Sequence, residues 1–470
     1  MKVLLIDVPF SAMEVGGVKG NFSLVRNVIP ALGLAYLAAV AEKAGYKVSI
    51  LDCARGLPLT AIKDETKSFL PDVVGLTSTT PTFANAVKAA TLVREIQPKA
   101  SIVLGGPHAT VMPEQSLRSG PFDYVIIGEG EETFVELLEK LPENSGAAKE
   151  VKGIAFLDKG EYVKGEKRGK IKDLDTIPFP ARHLLPPLSD YSPTPASYRA
   201  LPLAHIMTSR GCPSRCTFCD RGIFGTSYRA RSAENVLNEV IEVKERYGAR
   251  EIRFFDDTFT IDQKRLEKIC EGMASLSPQL PWTCLTKVDK VSKESLAMMR
   301  AAGCWQILFG LESGDDKILS SLKKGTTVAQ GRQAVNWAVE AGLRVRADFI
   351  VGTPLETPKS LQKTLDLALS LPIDFAHFNK FVPFPGTELY ESLHSQGFEF
   401  DIDSPSSTLD HDALVYVPPG LDERRYRRFL DGAYKAFYLR PSFLLRRLFA
   451  MGTWTEFMGH VKGFFSIASI

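Results

Sequence analysis

Cys212, Cys216 and Cys219 stand at offsets of four and then three in Cys212-Pro-Ser-Arg-Cys216-Thr-Phe218-Cys219. Thiolates this closely spaced suit iron, and three of them can each ligate one iron of a cubane 4Fe–4S cluster. No fourth cysteine lies nearby, so one iron of such a cluster stays open to a substrate or cofactor. The other reading of a cysteine trio, buried or disulfide-bonded thiols, fits this spacing poorly. The motif follows the loop Thr208-Ser-Arg-Gly211, which itself follows an apolar run over 201–207.

Further residues able to hold a ligand recur where strands should end. Behind the cysteines these are Asp256-Asp257, Glu312-Ser313-Gly314, Gly352-Thr-Pro and Val382-Pro-Phe-Pro-Gly386. Ahead of them are Thr77-Ser78-Thr79-Thr80, Gly105-Gly106-Pro107-His108 and Gly128-Glu129-Gly130-Glu131. Small hydroxyl residues can line a slot for a flat heterocycle, and adjacent glycines let backbone approach it with no Cβ in the way. Any one of these fragments alone is equally a solvated strand-end loop.

The elements that position them follow from periodicity. Residues 1–142 alternate β-rich runs (2–7, 47–51, 73–77, 101–104, 124–127) with helical ones (32–44, 59–69, 83–96, 113–118), the pattern of a Rossmann-like parallel sheet covered on both faces. Residues 143–197 are rich in Pro, Gly and Lys and read as a linker with a small hairpin at 153–157 and 162–164. A second α/β series over 198–396 has strands expected at 204–208, 251–255, 282–285, 305–309, 345–350 and 375–381, with helices such as 233–247, 264–276 and 359–370 between them. Six units make a partial (β/α)6 barrel, whose site belongs at the C-terminal strand ends. Residues 397–470 form a small, mainly helical C-terminal region.

Composition sets the outer bounds. The 470 residues, 44% apolar and 24% charged with a net charge of +2, describe a globular protein with no electrostatic case for a nucleic-acid partner. Seven cysteines suit a reducing, cytoplasmic interior, and the N-terminus turns polar too early for a secretory signal. Cys53, Cys270, Cys284 and Cys304 read as buried structural thiols, His205 as a satisfied core histidine, and Ser232 as a helix N-cap. The segment 421–447 interleaves Arg424, Arg425, Arg427, Arg428, Arg440, Arg446 and Arg447 with aromatic residues. It reads either as a helix on an anionic membrane, giving peripheral contact, or as a cap with a solvated basic face.

With these motifs in place, the chain resembles the cobalamin-dependent radical S-adenosylmethionine (SAM) enzymes over residues 1–395. Cys-x3-Cys-x-Phe-Cys resembles the motif by which that superfamily holds a 4Fe–4S cluster, with Phe218 as its aromatic residue. The resemblance implies that SAM chelates the open iron and is cleaved reductively to a 5′-deoxyadenosyl radical, with electrons from an external flavodoxin- or ferredoxin-type reductant. It implies SAM contacts from Asp256, Asp257, Glu312, Ser313, Gly352 and Val382. Ser78 and Gly105, 27 residues apart, resemble the Ser-x-(Leu/Thr)…Gly-Gly pattern of cobalamin domains. Thr77, Ser78, Thr79, Gly105, Gly106, His108, Gly128, Glu129 and Gly130 are then cobalamin contacts. The loop Val8-Pro9-Phe-Ser-Ala-Met-Glu14 lacks the histidine by which other cobalamin domains ligate cobalt, and none precedes His108, so cobalamin is expected without a histidine below the metal.

The activity this implies is hydrogen abstraction from a substrate followed by methyl transfer from methylcobalamin to an unactivated carbon. Radical cyclisation or ring rearrangement of a hydrophobic substrate (porphyrin or lipid) without methyl transfer is the alternative, and the basic aromatic tail points to a hydrophobic or lipid-like substrate. A methylthiotransferase would need further N-terminal cysteines, and Cys53 is the only one before Cys212. A cobalamin sensor without catalysis would not need the intact cysteine trio.

Overall fold

Residues 1–9, 28–142, 145–194, 197–400, 413–441 and 443 are those described by the structure, a computed structural model. Strands β1 (Lys2–Asp7), β2 (Lys47–Asp52), β3 (Val73–Thr77), β4 (Ser101–Gly105), β5 (Tyr124–Ile126), β6 (Ile154–Asp158) and β7 (Glu161–Lys164) form one sheet in the order β2-β1-β3-β4-β5-β6-β7. The first five are parallel. Their residues alternate between two apolar layers, Leu4, Ile6 and Val74 toward one and Val3, Leu5 and Val73 toward the other. Burial on both faces is why these strands read as unbroken apolar runs. Strand order reverses between β1 and β3, the place where such sheets open a crevice beyond the carboxyl ends.

The hairpin expected in the linker is part of this sheet. Strand β6 pairs antiparallel with β5 through Val125–Ala155 and Ile126–Ile154, and β7 pairs with β6. Ile154, Ala155 and Phe156 are buried, so the hairpin covers an otherwise open edge of β5.

The second sheet comprises β8 (Leu203–Ile206), β11 (Glu251–Phe254), β12 (Trp282–Thr286), β13 (Cys304–Glu312), β14 (Arg344–Val351) and β15 (Phe375–Lys380). All pairs are parallel, in chain order, and β8 and β15 are the two ends, which makes an open six-stranded partial barrel. Between β8 and β11 a short ribbon forms from β9 (Ser209–Arg210) and β10 (Arg229–Ala230). Ile206, Phe254, Trp282, Phe309, Phe349 and Phe378 face the helices in one core. The alternate positions, among them His205, Arg253, Thr283, Arg346 and His377, line the concave side.

The helix Glu423–Tyr438 answers one open question about the C-terminal region. Tyr434 and Tyr438 hydroxyls bond the free backbone of β15 at Phe378 and Ala376, and Tyr426 donates to Val351 O at 2.6 Å. These aromatic residues thus seal the barrel's edge strand, while Arg424, Arg425 and Arg428 stay exposed. Over this helix the pattern is a cap with a solvated basic face. Arg446, Arg447 and the remaining tail lie outside the described residues.

Candidate active site between two cofactor cradles

The cysteine loop leaves the barrel through the ribbon of β9 and β10. Gly211 takes φ +83°, and a Cβ there would strike the carbonyls of Ser227, Gly225 and Phe224, so only glycine lets the chain turn in so tightly. The loop's centre is pinned at Thr217, whose N–H donates to Leu322 O (3.0 Å) and whose carbonyl accepts from Leu389 N (3.0 Å). Cys216 is buried, Cys212 half-buried and Cys219 exposed. Cys212 Sγ lies 3.8 Å from Thr258 Oγ1. The neighbouring Cys219 thiol pulls the Cys216 thiol down to about 6, and its own is pushed up. Among the described residues no three such side chains converge on a single metal ion. Three free thiols in one loop, each able to take one iron, are the donor set a cubane uses.

Lys324 supplies the positive charge beside these thiols. Its Nζ donates to Glu312 Oε1 at 2.7 Å and sits 5.8 Å from the Phe218 ring centre. Its charge favours the thiolate form of both Cys216 and Cys219. Glu312 holds this ammonium from a left-handed backbone, φ +61°, that non-glycine residues rarely adopt. Lys324 was not singled out in the sequence, where Leu322-Lys-Lys-Gly325 resembles any surface turn.

Several of the residues expected to touch SAM serve the protein's own loops instead. Asp256 is buried and accepts from Thr208 N (2.6 Å), Ser209 N (2.8 Å) and the Thr208 hydroxyl, so it ties the β11 exit to the cysteine loop. Ser313 Oγ bonds Thr364 Oγ1 and accepts from Asp315 N. Gly352 is buried: its N–H donates to Glu356, and a Cβ would run into the Tyr426 hydroxyl. Its backbone is therefore closed to an adenine. Asp257, after β11, is exposed and Val382, after β15, is half-buried.

The N-terminal cradle is better preserved. Ser78 N donates to Gly105 O and His108 N to Ser78 O, bringing the ends of β3 and β4 together. Gly106 takes φ +98° with Ser78 O and Thr77 Oγ1 each 2.7 Å from where a Cβ would lie. Gly105 has no atom within 4 Å of that position, so the space beside it is open. Ser78 Oγ is buried there without a partner. Gly128, at φ +87°, donates its N–H to Thr110 Oγ1. Thr79 instead caps the turn 80–82, and Gly130 packs against Leu37. An open slot with an unpaired hydroxyl and no Cβ on its wall fits the planar base and nucleotide tail of cobalamin. His108 stacks on Phe83 (4.1 Å, 26°) with Nδ1 3.3 Å from Thr80 Oγ1, and burial pushes it down to about 4. It is a packed neutral ring in the cradle wall.

Glu129 was expected in this cradle and lies elsewhere. It accepts from Arg210 (2.9 Å), Arg229 (2.9 Å) and Ile171 N, while Glu131 takes the other arm of Arg210 at 2.5 Å. These buried pairs join the first domain to both strands of the ribbon that carries the cysteines. Contacts at the mouth bring the cradles together. A Cβ on Gly222 would lie 3.1 Å from Thr110, and one on Gly386 only 2.5 Å from Val111 and 3.0 Å from Asp220. The helix Pro107–Val111 behind the Gly105–Gly106 turn therefore packs directly on the cysteine loop.

The comparisons agree with this arrangement. Residues 18–138 match the B12 binding domain and residues 206–368 the radical SAM superfamily. An uncharacterized methyltransferase of Pyrococcus horikoshii is 33% identical over 457 residues, covering 96% of this chain and 95% of the relative. Anaerobic magnesium-protoporphyrin IX monomethyl ester cyclase of Cereibacter sphaeroides is 30% identical over 427 residues, 88% of this chain and 68% of the cyclase. The solved structure of the radical SAM methyltransferase TsrM from Kitasatospora setae, with cobalamin and a [4Fe-4S] cluster bound, shares the fold (TM-score 0.73, 100% of this chain and 98% of that one, 16% identity). A B12-binding domain followed by a radical SAM domain defines an enzyme that works with a 4Fe–4S cluster, SAM and cobalamin. The chain belongs to the cobalamin-dependent radical SAM enzymes.

Proposed function

We propose that this enzyme methylates an unactivated carbon of a small-molecule substrate held between the two domains. The observation that carries this reading is the direct packing of the Pro107–Val111 helix on the Asp220–Gly222 and Gly386 loops. It sets the cobalamin cradle against the cysteine loop over one shared mouth, the proximity a two-cofactor reaction on one substrate requires. When bound, the cluster with SAM supplies one-electron chemistry for hydrogen abstraction, and cobalamin supplies a methyl group.

The chain's own residues position these groups. Cys212, Cys216 and Cys219 hold three irons, and Lys324, itself held by Glu312, favours the thiolate forms of Cys216 and Cys219. Gly105, Gly106, Gly128, Thr77 and Ser78 line the corrinoid's nucleotide slot, with His108 as packing and no histidine ligand to cobalt. Asp257 and Val382 stand at the SAM side of the mouth. Electrons come from an external flavodoxin- or ferredoxin-type protein. Among the described residues no helix is long and apolar enough to cross a membrane. The aromatic residues that had suggested a lipid-like substrate are, over Glu423–Tyr438, committed to the barrel edge, which removes that support.

Oxidative cyclisation is a second reading, favoured by the cyclase relative at 30% identity. Incubating reduced, reconstituted enzyme with methyl-labelled SAM and candidate substrates separates the two. Label in the product is expected, and a modified product without label would remove methyl transfer and leave cyclisation. Cys212→Ala should abolish SAM cleavage under the same conditions.

A further inference from the structure

We propose that the floor of the barrel lumen is an oxyanion subsite centred on Arg253, which binds a phosphate or carboxylate group of the substrate. The inference rests on the lumen being the substrate chamber, and it adds the chemical class of what enters.

Arg253 lies on the concave face of β11, level with His205 on β8 and Thr283 on β12. Its half-buried guanidinium makes no hydrogen bond or close ion pair among the described residues, and it stands over the Phe255 ring, 5.7 Å from the ring centre. The nearest carboxylates are engaged elsewhere. Glu251 accepts from Arg199 N, Ala200 N and Trp305 Nε1, and Asp348 faces Arg346 at 3.3 Å and His377 at 3.8 Å. Around Arg253 the buried polar atoms are unpaired as well: both ring nitrogens of His205 and Thr283 Oγ1 have no partner. His205, read from the sequence as a satisfied core histidine, is thus the opposite, a neutral ring pushed down to about 3 by burial and the nearby Arg253 and Arg182.

Buried donors without partners are costly, and native proteins leave few of them. Here β8 and β12 leave them on either side of the half-buried Arg253, at one level, on a face open enough that Phe255 is 43% exposed. The local charge is positive, because Asp348 answers only one of Arg253 and Arg346. Burial and the like charge of Arg346 together pull the Arg253 guanidinium down to about 10, a stress an anion would relieve. A guanidinium's planar fork, flanked by a hydroxyl and an imidazole, matches an oxyanion's geometry. Arg253 stands three residues before Asp256, on the order of 10 Å below the strand ends at about 3.3 Å per residue. The substrate's anion and its reacting carbon should therefore be separated by roughly that length, on the same strand-rise estimate.

The test uses the full chain, reconstituted anaerobically, with inorganic phosphate and acetate as probes in calorimetry and thermal melting. One of the two should bind wild type and raise its Tm, and which one does tells phosphate from carboxylate. Arg253→Met should bind that probe at least tenfold more weakly while melting no lower than wild type without it, because an unpaired, half-buried charge has been removed. Thr283→Val should weaken binding severalfold. Neither probe binding, or Arg253→Met binding as wild type does, would overturn the proposal. A lower Tm for the probe-free variant would also overturn it, by making Arg253 a structural residue. Iron and corrinoid contents read on the same samples report on the cofactor reading separately, since a wild type that assembled neither would sink that reading and leave the anion result standing.

Discussion

Replacing Arg210 with methionine should loosen the cysteine loop without touching a cysteine. Arg210 bonds Glu129 at 2.9 Å and Glu131 at 2.5 Å, with side-chain exposures of 5%, 3% and 9% for the three residues. After the substitution Glu129 keeps Arg229 at 2.9 Å, but Glu131 has no second cation within ion-pair distance among the described residues. One buried carboxylate is then uncompensated, which costs about 3–5 kcal/mol. At about 1.36 kcal/mol per decade this is roughly two to nearly four decades in a local opening equilibrium. Native-state hydrogen exchange reads that equilibrium directly. The Arg231 amide, bonded to Thr208 O at 3.0 Å beside the ribbon, should exchange faster by about that factor. The Trp282 amide, bonded to Gly303 O at the N-terminal ends of β12 and β13, should not change. Adding Glu131→Gln should recover much of the loss, since the stranded charge is gone. A change at Arg231 smaller than about fivefold, worth under 1 kcal/mol, would refute the idea that these ion pairs hold the ribbon.

The two glycines of the cradle should behave differently. Gly106→Ala, at φ +98° and with two oxygens 2.7 Å from its Cβ, should cost about 1–3 kcal/mol in thermal unfolding and lose corrinoid. Gly105→Ala meets no atom within 4 Å, so stability should hold within about 0.5 kcal/mol while corrinoid affinity falls. Wild-type corrinoid content in Gly105→Ala would place the cofactor elsewhere. Glu356, buried beneath Gly352, has its carboxyl pushed up to about 7 from 4.5 by burial. Its folded-state value is raised, so the neutral form's contribution is complete below 4.5 and is lost as pH rises through 7. The ceiling is about 3 kcal/mol at 1.36 kcal/mol per pH unit. Glu356→Gln should accordingly gain Tm relative to wild type between pH 5 and pH 8, and parallel Tm curves would contradict this.

How much of this was legible in the sequence depended on how local the physics is. Strands β1 and β3 and the helices Leu59–Phe69 and Phe83–Ile96 have the bounds that periodicity predicts, because alternating burial is a property of neighbouring residues. The cysteine trio was legible for the same reason. Arg210 was not, although it stands two residues before Cys212: its partners are 81 and 79 residues away and only the fold brings them near. The hairpin looked like a linker because two short strands beside Pro-rich sequence carry no sign of which sheet edge they will cover. Asp256, Ser313 and Gly352 show a deeper ambiguity. A polar or glycine residue at a strand end can serve a ligand or its own loop, and type and spacing are the same in both cases.

That ambiguity is resolved by asking which polar groups the chain satisfies by itself. Asp256, Ser313, Glu129 and Gly352 all have internal partners, and each turns out to fix a loop. Ser78 Oγ and His108 Nε2 in the cradle, Thr217 Oγ1 in the cysteine loop, and His205 and Thr283 on the lumen floor are buried without partners. About as many unpaired atoms, among them Arg55 Nε, Ser116 Oγ and Thr353 Oγ1, lie outside these places. A chain that bonds Asp256 three times within one turn had the means to satisfy its floor as well. Groups left unpaired together, as His205 and Thr283 are on either side of Arg253, are more economically explained by what meets them than by imperfect folding. That is why we propose the cradle and the cysteine loop as cofactor walls and the lumen floor as the side that meets the substrate.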